Sequence, residues 1–92
     1  MTESQVRRRV RAHGRVQGVF FRDSVRREAA RRGVAGWSRN CSDGTVESVF
    51  EGVAEAVDAM VAFVQAGPGH AEVDRVEVDE EQVEGLSGFD VR

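Results

Sequence analysis

Gly14-Arg15-Val16-Gln17-Gly18-Val19-Phe20-Phe21-Arg22 joins a segment with the two-residue period of a strand to one with the four-residue recurrence of a helix. A glycine-bearing turn in this setting points successive backbone N–H groups into one concavity, and the helix that follows adds free N–H groups and the positive end of its dipole. Such a cradle suits an anion. Arg22 opens the helix, where a planar guanidinium can hold phosphate through two parallel hydrogen bonds that a lysine cannot make.

Upstream of this turn, Val6, Val10 and Ala12 share one side of the alternation, and Arg7, Arg9, Arg11 and His13 share the other. That is the pattern of a strand with one wet face, interrupted on its inner side by Arg8. Downstream, Phe21, Val25 and Ala29 mark an amphipathic helix of about three turns that Gly33 ends as a left-handed cap. Val34 to Asn40, with Trp37, reads as a second strand and Thr45 to Phe50 as a third. Cys41-Ser42-Asp43-Gly44 between them carries the Asp-Gly signal of an antiparallel hairpin, so Asn40 stands where a strand enters its turn.

Gly52 interrupts the third strand in this reading. Val53, Val57, Met60, Val61 and Val64 then predict a second helix, stopped at Gly67-Pro68. Val73, Val76 and Val78 suggest a fourth strand with an irregular start, Glu80 to Gly88 a polar connection, and Phe89 and Val91 a short last strand.

The order is β-α-β-β-α-β plus a terminal strand. It specifies an α+β, ferredoxin-like sandwich, one domain over residues 1–92, with right-handed crossovers putting both helices on one face of an antiparallel sheet. Arg22 and Asn40 come within reach of each other if the second strand, antiparallel to neighbours parallel to the first, ends on the sheet edge where the loop begins.

Ninety-two residues bury only about 60–65% of the surface of the unfolded chain, so modest stability is expected. With one leucine, Leu86, and no isoleucine, the valines bias segments without helical spacing toward strands. No stretch reaches the roughly 20 apolar residues of a membrane span, and Met1 to Arg9 lacks the apolar region of a secretory signal, so a cytoplasmic protein is expected. Cys41 is alone, which excludes an internal disulfide, and with only His13 and His70 besides it there is no cluster at zinc-ligand spacing.

Charge is divided sharply along the chain. Residues 1–39 hold eleven arginines and three acids, a net +8, and residues 40–92 hold two arginines and thirteen acids, a net −11. The basic half raises nucleic-acid binding as a possibility, with a steep salt dependence as its mark. Because the strands lack the aromatic platforms usual in single-strand binding, the favoured reading is a basic helix and an acidic helix lying side by side and neutralising each other.

Gly-Arg-Val-Gln-Gly-Val-Phe-Phe-Arg at 14–22, Gly-Trp-Ser-Arg-Asn at 36–40 and Asp-Gly-Thr-Val-Glu at 43–47 together resemble the acylphosphatase family, over almost the whole chain to Phe89-Asp-Val-Arg. The family usually carries an apolar residue where Ser38 stands. The resemblance implies hydrolysis of the carboxyl-phosphate anhydride bond of a small acyl phosphate to a carboxylate and inorganic phosphate, with neither metal nor other cofactor. Carried over by position, Arg22 holds the phosphoryl group and Asn40 positions the attacking water, while the main-chain amides of Arg15, Val16, Gln17, Gly18, Val19, Phe20 and Phe21 complete the cradle. Thr45 is a candidate for a supporting hydrogen bond, although a threonine opening a strand more commonly serves the strand.

Taken singly, each signal has a plainer explanation: a glycine turn is usually only a turn, and an asparagine at a strand end usually bonds its own backbone. Trp37 reads as packing, Asp43 as a turn residue, Cys41 as an adventitious thiol, His13 as part of the wet face with a minor anion-binding option, and His70 as a loop residue. A non-catalytic module that binds phosphorylated ligands through the same cradle is the alternative function. A monomer without nucleic-acid or membrane partners is expected from the small size and the lack of surplus apolar surface.

Overall fold

The computed structural model describes residues 4–92, so the reading of the first three residues lies outside the described residues. The elements are β1 (Gln5–Arg15), α1 (Phe21–Arg32), β2 (Ala35–Asn40), β3 (Val46–Val53), α2 (Ala54–Gln65), β4 (Glu72–Glu81) and β5 (Phe89–Val91). One five-stranded sheet has the order β4-β1-β3-β2-β5, antiparallel except between β2 and β5. The neighbour that β2 shares with β1 is β3, which runs antiparallel to both. So β2 is parallel to β1, and their ends meet on one edge by that route rather than through a neighbour parallel to β1.

Both helices cover the same face. Phe21, Val25 and Ala29 of α1 and Val57, Met60 and Val64 of α2 join Val10, Ala12, Val46 and Phe50 of the sheet in a single buried cluster. Helix α1 ends at Gly33, whose N–H returns to the carbonyls of Ala29 and Ala30. The Asp43 carboxylate accepts the main-chain N–H and the hydroxyl of Thr45, at 3.0 and 2.6 Å, which closes the β2–β3 turn. Strand β5 is held from the helix side by Phe89, whose ring stacks on Phe50 at 5.9 Å. Among the described residues no helix is long and apolar enough to cross a membrane.

Several boundaries differ from the sequence reading. Strand β1, expected from Val6 to Ala12, runs on through Gly14 to Arg15, which pair with Val73 and Glu72, so the first two residues of the expected turn belong to the strand. Strand β3 continues through Gly52 to Val53 because Val6 and Gln5 pair with those residues, and this cross-strand pairing outweighs the low strand preference of glycine. Strand β4 extends to Glu81, since its outer residues are held by β1 arginines rather than by a valine pattern. Its irregular start is a β-bulge at His13/Gly14, where a Cβ on Gly14 would lie 2.2 Å from the Glu72 carbonyl oxygen.

Neutralisation of the two charged halves takes place elsewhere than between the helices. Among the described residues no ion pair joins α1 to α2. The α1 arginines pair within their own helix, Arg26 and Arg27 with Asp23 and Arg31 and Arg32 with Glu28. On the helix-free face, the β1 arginines meet carboxylates of the flanking strands: Arg7 with Glu51 and Glu81 at 2.7 and 2.8 Å, Arg9 with Glu81 and Glu47 at 2.6 and 3.2 Å, and Arg11 with Glu47 at 3.3 Å. His13 bonds Glu77 in the same row. Arg39 adds a third guanidinium to Glu47, and Trp37 lies beneath the guanidinium groups of Arg9, Arg39 and Arg92. The aliphatic stems cover β3, so Arg7, Glu47 and Glu51 are buried on a face that alternation alone marks as wet.

This lattice makes stability depend on acid. Hydrogen bonds from Arg9 and Arg7 hold the Glu81 carboxyl at about 2, against an ordinary 4.5. A folded-state value below the unfolded one means that the unfolded chain binds the extra proton, so this contribution is complete above the ordinary value and is lost as pH falls toward 2. Glu81→Gln is expected to be less stable than the parent in urea titrations at pH 7. The difference should shrink below about pH 4.5 and close near pH 2; parallel curves across that range would remove Glu81 from the acid response.

Candidate active site

The end of β1, the 16–20 turn and the first turn of α1 enclose a cleft of about 290 Å³ lined by Val16, Gly18, Phe20, Phe21, Arg22, Asp23 and, from β5, Val91. Val16 and Phe21 are buried and anchor the turn in the core, while Gly18 takes a left-handed φ of 71°. Phe20 is the residue before the helix and also lies in the left-handed region, at φ 61° and ψ 20°. For a residue with a Cβ that conformation costs about 1–2 kcal/mol. Its carbonyl accepts the Ser24 N–H at 3.0 Å, the first bond of the helix.

Arg22, in the first turn of α1, is half-buried and donates from its guanidinium to the main-chain oxygen of Arg92. Among the described residues no Asp or Glu side chain pairs with it, in contrast to Arg7, Arg8, Arg9 and Arg11 of β1. A guanidinium in the first turn of a helix, unpaired with any Asp or Glu side chain, suits an anion, although Asp23 lines the same cleft.

Asn40 is exposed at the last position of β2, opposite Val46, and is not among the residues lining the cleft. It shares the helix-side face of β2 with Ser38, two residues before it. Ser38 pairs with Val91, and the Arg92 N–H bonds the Ser38 carbonyl at 2.8 Å. The strand that carries Asn40 is thus laced to the residue that walls the cleft and to the one that Arg22 touches. Among the described residues the Asn40 side chain makes no hydrogen bond, which leaves its amide free for solvent or ligand.

Gln17 joins the two halves from the other side. Its side-chain amide donates to the carbonyls of Cys41 and Thr45, at 2.8 and 2.9 Å, tying the turn to the β2–β3 hairpin directly after Asn40. The sequence reading used Gln17 only for its backbone; the signal was a side chain with two N–H donors inside an otherwise apolar and glycine-bearing turn. The Thr45 hydroxyl donates to Asp43 and accepts from Arg11, so it serves the hairpin, and its carbonyl reaches the site through Gln17. Arg15 donates to the His70 carbonyl at 3.3 Å, which braces the turn against the α2–β4 connection. Among the described residues no group of three or more His, Cys, Asp or Glu is gathered to hold a metal ion.

A family model described as acylphosphatase matches residues 8–91 of this chain. The chain belongs to the acylphosphatase family. It is 55% identical over 95 residues to the acylphosphatase of Rubrobacter xylanophilus, which covers 100% of this chain and 86% of that protein. With the acylphosphatase of Thermococcus kodakarensis the identity is 54% over 87 residues, 95% of this chain and 96% of the relative. The solved structure of an acylphosphatase from Coxiella burnetii matches with a TM-score of 0.90 at 39% identity, covering 96% of this chain and 93% of the other.

The enzyme is accordingly a hydrolase of acyl phosphates on an α+β, ferredoxin-like fold. Its Ser38, the departure from the family pattern noted in the sequence, is fully buried and bonds the Ser48 hydroxyl at 2.6 Å. The second hydroxyl supplies the partner that a buried polar group needs.

Proposed function

We propose that Arg22 and the turn amides from Arg15 to Phe21 grip the phosphoryl group while the Asn40 side chain aims a water at phosphorus, without a metal. Water oxygen bonds to phosphorus, the P–O bond to the acyl oxygen breaks, and the electron pair leaves with the carboxylate. The proton from water ends on phosphate or in solvent. A carboxylate is a stable leaving group near neutral pH, so no protein acid is needed. The loose character of phosphoryl transfer means that the water need not be deprotonated early. Catalysis is then electrostatic preorganisation, often worth about 3 kcal/mol per donor, together with orientation of the water.

The observation that carries this reading is the lacing of Asn40 to the Arg22 cleft through Ser38, Val91 and Arg92 on one side and Gln17 on the other. The test is phosphate release from benzoyl phosphate by pure enzyme in chelator. Asn40→Ala is expected to lower kcat by about a hundredfold with KM little changed, since the amide acts on water and not on the phosphoryl group. Turnover that stops in chelator would overturn metal independence, and an undiminished kcat in the variant would remove Asn40 from the mechanism. Phosphate binding without turnover would favour the phosphate-binding module.

A cytoplasmic monomer is part of the same proposal. The large apolar side chains exposed among the described residues are few, Phe20, Val78, Val83 and Val91, of which Phe20 and Val91 share the small cleft and none forms a broad patch. The pairing of the β1 arginines with carboxylates supports the absence of a nucleic-acid partner.

A further inference from the structure

We infer that Phe20, with Val91, forms the acyl-group platform of this enzyme and makes it selective for aryl and other bulky apolar acyl phosphates over acetyl phosphate. The inference rests on the reading of the Arg22 cleft as the phosphoryl site.

Phe20 is 75% exposed and Val91 40% exposed, and both line the cleft that contains Arg22. A volume of about 290 Å³ leaves room beyond a phosphoryl group for the organic part of a small ligand. In-line displacement puts the leaving carboxylate on the side of phosphorus away from the attacking water. Asn40 is outside the lining of the cleft while Phe20 and Val91 are within it, so the cleft is where the acyl group goes.

The fold gives no reason for an aromatic ring at this position. Phe20 lies outside the core cluster, provides no side-chain cap for α1, and occupies a backbone conformation that glycine adopts more readily. An exposed ring beside a charged pocket gains its packing only when a ligand's apolar part covers it.

The experiment compares benzoyl and acetyl phosphate by kcat/KM, and benzylphosphonate and methylphosphonate by calorimetric affinity, in the parent, Phe20→Gly and Phe20→Tyr. The readout is the ratio within each pair, so any effect of the substitution shared by both ligands cancels. The parent should favour the aromatic member of each pair about tenfold, Phe20→Gly should bring both ratios near one, and Phe20→Tyr should keep them. Phe20→Gly should also melt no lower than the parent, because glycine accepts the backbone conformation.

Ratios that are the same in Phe20→Gly and the parent, or a parent ratio near one, would overturn the inference. Failure of the underlying reading is separate: Arg22→Ala would then bind both phosphonates as tightly as the parent does. If the parent turned over neither acyl phosphate, the phosphonate ratio alone would decide.

Discussion

Arg22→Ala is expected to lower kcat/KM for benzoyl phosphate by about a thousandfold, and Arg22→Lys to recover little of that loss. The guanidinium offers two parallel donors in a plane, matched to two phosphoryl oxygens, and the ammonium offers one point charge. The folded protein should hardly notice either change. Arg22 occupies the first turn of α1, where the helix dipole disfavours a cation by about 0.3–1 kcal/mol. Its bond to the Arg92 main-chain oxygen is at a half-exposed site and offsets a part of that. The urea midpoint of Arg22→Ala should therefore stay within about 1 kcal/mol of the parent while activity collapses. That combination separates a lost phosphoryl ligand from a lost fold. Near-normal activity in Arg22→Lys would show that charge without the planar fork suffices.

Local preference and observed structure disagree at three places: Phe20 in a left-handed conformation, Arg22 at the positive end of a helix, and Asn40 without a hydrogen-bond partner among the described residues. Each is unfavourable or neutral for folding, and Phe20 and Arg22 line the cleft. Two of the three, Arg22 and Asn40, are singled out in the sequence because motif and topology point to them, and their roles rest on the variants proposed for them. The hairpin is legible too, since Asp43-Gly44 has a local chemical signature and Asp43 does close the turn. The conformation of Phe20 was not, because the sequence reading used Phe20 only for its main-chain amide and a phenylalanine carries no mark of a left-handed backbone.

The helix-free face was misread for a different reason. Alternation separates two faces of a strand but does not say whether the polar face meets water or another set of charges. Arginine stems reach far enough to bury Glu47 and Glu51 under an ionic layer, and nothing periodic in the sequence marks an acid as buried. The extension of β3 through Gly52 has the same origin, for its register depends on residues of β1 some 45 positions away.

Glu51→Ala is expected to cost about 3–5 kcal/mol of stability, read as a lower urea midpoint. The Glu51 carboxylate is buried in β3 and accepts four donors: Arg7 at 2.7 Å and the main-chain N–H groups of Glu84, Gly85 and Leu86 at 2.9, 3.1 and 3.0 Å. Burial alone would push this carboxyl up, but the Glu84 N–H, the Arg7 guanidinium and the Leu86 and Gly85 N–H groups outweigh it and hold the group below its ordinary value. The residues it grips belong to the connection that crosses the sheet from β4 at one edge to β5 at the other. Removing the carboxylate leaves three N–H groups and a buried guanidinium short of an acceptor. Glu51→Gln keeps the volume but turns one acceptor into a donor among donors, so it should fall between the parent and alanine. The same connection sets the position of β5, which supplies Val91 to the cleft and the Arg92 oxygen to Arg22. Below its melting range, Glu51→Gln should therefore show a raised KM with a smaller change in kcat, because the Arg22 cleft loses one wall while the amide of Asn40 stays on β2. An unchanged midpoint in Glu51→Ala would mean that the crossing connection is held by its own contacts and that the four donors find water without loss.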